Sequence, residues 1–100
     1  MTAHITIDRE QLAALCRKWQ VTELSLFGSV LRDDFGPESD VDVLVTFAPD
    51  APWSLFDLVD MTDELAALFG RKVDLVEREG LRNPIRRRAI LSSREVIHAA

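Results

Sequence analysis

The run Asp40-Val41-Asp42-Val43-Leu44-Val45-Thr46-Phe47 constrains this chain more than any other stretch. Residues 41–47 are β-branched and apolar, which predicts an extended strand, and its neighbours are apolar on both faces. Two aspartates at its start break the pattern. Side chains alternate along a strand, so Asp40 and Asp42 point the same way, with Cα atoms ~6–7 Å apart. Strands disfavour aspartate, and two like charges aimed at one point repel. One reading is a solvated strand end carrying surface acids; the other is a cation held between the two carboxylates.

The flanking signals supply the rest of a fold. Asp8 with Gln11 resembles a helix-capping pair, and Leu12, Leu15, Cys16 and Trp19 follow at helical spacing. Residues 23–27 read as a short strand that stops at Gly28-Ser29, with a helical turn through Arg32 and a loop around Gly36-Pro37. After the turn from Pro49 to Pro52, Ser54 caps a helix with Asp57 at its third position. Leu55, Leu58, Val59, Thr62, Leu65, Leu68 and Phe69 form the expected inner stripe, and Gly70 ends it. Residues 72–77 make a third strand, Asn83-Pro84 starts a last helix, and Glu95 to His98 form a last short strand.

This order predicts an α+β fold of the α/β type, with helices packed on a small mixed β-sheet. The connection from Gly28 to Asp40 is short for a covering crossover helix, so the first two strands are expected as antiparallel neighbours. At 100 residues the chain fits one domain, taken as 1–100.

Asp74 repeats the oddity of Asp42, interrupting the apolar run of Val73, Leu75 and Val76. Adjacent strands lie ~4.8 Å apart, so pairing of the third strand with the second would complete a three-carboxylate cluster. Carboxylates without histidine or cysteine suit magnesium or manganese rather than zinc. Gly28-Ser29 stands between a strand and a helical turn. There, free backbone N–H groups favour an anion, glycine admits a phosphate closely, and the serine adds a hydroxyl. A bare Gly-Ser is also a common turn; its value here comes from the aspartates that follow.

Charge limits the partners. The net charge is −5, with 17 acidic against 12 basic residues, which does not favour a nucleic-acid partner. The basic cluster Arg86-Arg87-Arg88, preceded by Arg82, reads as a solvated helix face, with a nucleotide tail or an acidic partner as the other reading. Cys16 is the only cysteine, which excludes an internal disulfide, and with Trp19 it is expected in the core. With no basic-then-apolar leader and no long apolar run, a cytoplasmic protein is expected. His4 and His98 read as structural or exposed residues, Trp53 as local packing, and Asp57, Asp60, Asp63 and Glu64 as the wet side of their helix.

The segment Phe27-Gly28-Ser29-Val30-Leu31-Arg32, followed by Ser39-Asp40-Val41-Asp42-Val43-Leu44-Val45, resembles the signature of the DNA polymerase beta-like nucleotidyltransferase superfamily. That signature is Gly-Ser, ten residues, then Asp-x-Asp, and residues 30–39 supply the ten. Gly70 to Val76 looks like the strand that bears the family's third carboxylate, and the tail from Leu81 to Ala100 is similar to the ends of minimal nucleotidyltransferases. The resemblance implies metal ligation by Asp40 and Asp42, with Asp74 as third ligand and possible base. Gly28 and Ser29 would hold the triphosphate, and Arg32 would reach the phosphates or brace an aspartate. Asp33 departs from the pattern, since many relatives have glycine there.

The resemblance further implies magnesium (or manganese) as cofactor and ATP as substrate. It also implies the role of an MNT antitoxin, which attaches AMP to a tyrosine of a HEPN-domain ribonuclease toxin. An antitoxin that neutralises by binding alone, and a small-molecule nucleotidyltransferase of the antibiotic-modifying kind, are the alternatives.

Overall fold

The computed structural model describes residues 5–32, 36 and 38–99. His4 and Asp33 lie outside these residues. The chain runs α1 (Arg9–Lys18), β1 (Val21–Phe27), a 3-10 turn (Gly28–Leu31), β2 (Val41–Phe47) and α2 (Leu55–Phe69). It continues through β3 (Val73–Glu77), a second 3-10 turn (Arg78–Gly80), α3 (Pro84–Ser93) and β4 (Glu95–Ala99).

The helix boundaries follow local chemistry. Asp8 accepts from the backbone N–H groups of Glu10 and Gln11 and so starts α1. Ser54 and Asp57 form a reciprocal capping box at the start of α2, and Gly70 ends that helix in the left-handed conformation at φ 67°. Asn83 caps α3 with Pro84 in the first turn.

The four strands form one mixed sheet in the order β3-β2-β1-β4. As expected, β1 and β2 are antiparallel neighbours, whereas β2 and β3 are parallel, joined by the crossover through α2. β4 closes the other edge antiparallel to β1. β1 begins at Val21, two residues earlier than its sequence suggests, because a register shift between Val21 and Glu23 interrupts the alternation.

Each sheet face carries its own core. Leu24, Leu26, Val41, Val43 and Val45 pack against Leu12 and Cys16 of α1 and Met61 and Leu65 of α2. Burial pushes the Cys16 thiol up to about 11, so it behaves as a small apolar residue. On the opposite face Phe27, Leu44 and Leu81 pack with Ile90 of α3.

The expected inner stripe of α2 holds at Leu65, Phe69 and Leu68 and is corrected at its start. Met61, Leu65 and Phe69 are its buried residues, while Leu55 and Val59 are 79% and 59% exposed. The composition of the first two turns is apolar nearly all round, so its periodicity alone could not fix which side faces the sheet. Glu64 is not simply wet either: it accepts from Lys18 Nζ at 2.9 Å and Trp19 Nε1 at 3.2 Å, tying α2 to α1. Trp53 packs locally as expected, edge-on to Trp19 with its indole N–H on the Trp19 carbonyl at 2.8 Å. Among the described residues no helix is long and apolar enough to cross a membrane.

Candidate active site

Strand register decides which side chains meet. In the β1–β2 pair Phe27 stands opposite Asp42, and in the β2–β3 pair Asp42 stands beside Asp74. Direct neighbours across a ladder share a face, so both carboxylates project on the side that α3 covers, ahead of Leu44 and Val76. Asp40 lies just before β2, within electrostatic reach of Asp42. Asp42 and Asp74 are thus brought to one end of one sheet face, with Asp40 just ahead of Asp42 in the chain.

Asp42 records the cost of that gathering. Burial raises its carboxyl above the ordinary range, and the charges of Asp74 and Asp40 raise it further. Arg32 and Arg86 act in the opposite sense. A cation among these carboxylates would reverse both effects, because it favours the ionised form.

Gly28 closes the other side. It follows β1 directly, opens the 3-10 turn, and has φ 75°. A Cβ built there would stand 3.2 Å from the Asp42 carboxyl carbon and overlap its Oδ2 outright. Two separate requirements, a left-handed backbone and space for Asp42, therefore select glycine. Ser29 is half-buried beside it, with its hydroxyl 3.5 Å from the Asp40 carbonyl. The 3-10 turn has no side-chain cap at its start, and Arg32 closes it with its backbone N–H on the Ser29 carbonyl at 2.9 Å.

Two site residues were not assigned a role from the sequence. Arg71 donates from Nη2 to the carbonyls of Gly36 and, at 2.9 Å, Ser39. Together with the bond from Val41 N–H to the Lys72 carbonyl at 2.8 Å, it pins the approach to Asp40 onto the start of β3. Its only sequence signal is a place three residues before Asp74. Arg86 reads in the sequence as part of a solvated helix face, with a nucleotide tail or an acidic partner as the other reading; it is exposed, and its charge acts on Asp42.

A divalent cation fits this donor set. Among the described residues no three ligating side chains are already gathered about one point. Magnesium does not require such a cage, since it commonly takes one or two carboxylates and completes its shell with substrate phosphates and water. Asp42 and Asp74 side by side, with Asp40 close, supply hard oxygen donors and no softer ligand.

The strand–turn unit packs Gly28 against Asp42, which stands beside Asp74 on a mixed sheet backed by helices. The chain belongs to the nucleotidyltransferase domain family, which matches residues 8–97. Among its relatives, protein adenylyltransferase MntA of Thermococcus cleftensis is 36% identical over 98 residues, covering 98% of this chain and 87% of that protein. A solved minimal nucleotidyltransferase is 32% identical and superposes with a TM-score of 0.71, covering 87% of this chain and 86% of that one. A chain from the complex of the tri-AMPylated Shewanella oneidensis HEPN toxin with MNT antitoxin shares the fold at a TM-score of 0.61. It is 20% identical and covers 92% of this chain and 70% of that one.

Proposed function

We propose that this chain is a magnesium-dependent protein adenylyltransferase that transfers AMP from ATP to a tyrosine hydroxyl of a HEPN-domain toxin, and so acts as its cytoplasmic antitoxin. The observation that carries the reading is the packing of Gly28 against Asp42, with Asp74 beside it. The relationship to protein adenylyltransferase MntA supports protein as the acceptor, and the shared fold of the AMPylated toxin complex supports the partner. The acidic net charge of −5 argues against a nucleic-acid acceptor.

In this reading residues 1–100 work as a single nucleotidyltransferase domain. Asp40, Asp42 and Asp74 hold the metal, and Gly28, Ser29 and Arg32 hold the triphosphate. Bound there, the metal supplies positive charge to the phosphate oxygens. The acceptor oxygen forms a bond to the α-phosphorus while the bond from that phosphorus to the bridging oxygen of the β-phosphate breaks. AMP is then esterified to the acceptor and pyrophosphate leaves. Asp74, the most exposed of the three carboxylates, takes the hydroxyl proton. Position and charge neutralisation do most of the work.

The test is mass spectrometry of the partner co-expressed with wild type, Asp40→Asn or Asp42→Asn. The partner should gain AMP only with wild type. Near-normal transfer by either variant at saturating magnesium would overturn the carboxylate assignment. A partner that is neutralised yet never modified would replace catalysis with binding alone.

A further inference from the structure

We propose that Arg86 is a triphosphate-binding residue, reaching from α3 over the aspartates to the β- and γ-phosphates that leave as pyrophosphate. The proposal rests on the nucleotidyltransfer reading and adds a residue from an element outside the Gly-Ser and Asp-x-Asp segments.

Helix geometry places the side chain. Ile90 is the buried residue of α3 and packs with Phe27 and Leu44. Phe27 is the direct cross-strand neighbour of Asp42, and Leu44 is the next residue of β2 on the same face. Arg86 stands four residues before Ile90, and such positions lie one above the other on one helix side. The contact that seats Ile90 on the sheet therefore carries Arg86 along the face that presents Asp42 and Asp74. The start of α3 is held by Asn83, whose Oδ1 accepts from the Arg86 backbone N–H at 3.2 Å, so the arginine sits in a capped first turn.

Charge agrees with this placement. Arg86 and Arg32 are the two cations that act on Asp42. Arg86 makes no ion pair within 4.0 Å among the described residues, and its side chain is exposed. Its charge acts on Asp42 without such a pair to neutralise it. ATP brings several negative charges into a site that already holds three aspartates, and a metal alone does not balance the sum. An arginine offers a planar fork of donors that matches phosphate oxygens. Arg87 and Arg88 border an outer groove with Pro84, Leu91 and Ser92.

The experiment measures equilibrium binding of ATP and of AMP to wild type, Arg86→Gln, Arg86→Lys and Arg88→Gln, with calcium replacing magnesium to stall transfer. Melting temperatures are recorded on the same samples. Arg86→Gln should weaken ATP about tenfold or more and change AMP less than about twofold, with an unaltered melting temperature. Arg86→Lys should recover part of the loss, and Arg88→Gln should match wild type. Equal affinity of Arg86→Gln and wild type for ATP would overturn the proposal, as would equal weakening for ATP and AMP. Failure of wild type itself to bind ATP would overturn the nucleotide site, and the role of Arg86 with it.

Discussion

Gly28→Ala is the substitution whose consequences the structure fixes most closely. Gly28 has φ 75°, where an L-residue costs roughly 1–2 kcal/mol. The new methyl would also meet Asp42, at 3.2 Å from its Cγ and overlapping Oδ2, when ordinary contact begins near ~3.5 Å. The carboxylate is the free end of a side chain and can swing aside by about 1 Å, so the clash adds little to the folding cost. It moves the carboxylate proposed to hold the metal instead. A shift of that size costs on the order of 100-fold in rate where positioning is the chief contribution.

Gly70→Ala provides the control. Gly70 has φ 67°, but a Cβ there meets nothing within 4 Å. Both variants should therefore lose similar stability, a drop in Tm of roughly 4–16 °C for a domain of this size. Only Gly28→Ala should lose AMP transfer, measured as modified partner per minute well below either Tm. If Gly28→Ala kept the activity of Gly70→Ala, the reasoning that Gly28 exists to admit Asp42 would be refuted.

Two further outcomes follow from the site. The raised Asp42 carboxyl makes the folded state the better proton binder, so its penalty is present in full at neutral pH and is relieved as pH falls through the raised value toward the ordinary carboxylate range. Asp42→Asn should accordingly melt at or above wild type at pH 7 in chelator, with the gap narrowing as pH is lowered through that window; a lower melting temperature at pH 7 would contradict this. Arg71→Ala should release the carbonyls of Gly36 and Ser39 and loosen Asp40, raising the magnesium needed for half-maximal transfer about tenfold, and an unchanged magnesium dependence would show that Arg71 does not position the ligand.

Whatever depends on residues a few positions apart was legible in the sequence. The Ser54–Asp57 capping box, the left-handed stop at Gly70 and the start at Asn83-Pro84 were legible because each is a contact within one turn. The strand 41–47 was legible from its β-branched run, and the Gly-Ser to Asp-x-Asp spacing placed Gly28, Ser29, Asp40 and Asp42. Tertiary structure decided the rest. Asp74 lies beside Asp42 only because the α2 crossover sets a parallel register, and a slip of one residue would turn it to the opposite face. The rotation of α2, which buries Met61 and leaves Leu55 and Val59 exposed, depends on packing against the sheet, since the helix is apolar on more than one side. Arg71 bonds the Gly36 and Ser39 carbonyls from the approach to β3, and the charge of Arg86 acts on Asp42 from α3, each far along the chain from Asp40 and Asp42. No local pattern encodes such a meeting, because its energy comes from distant segments packing together and not from the residues on either side.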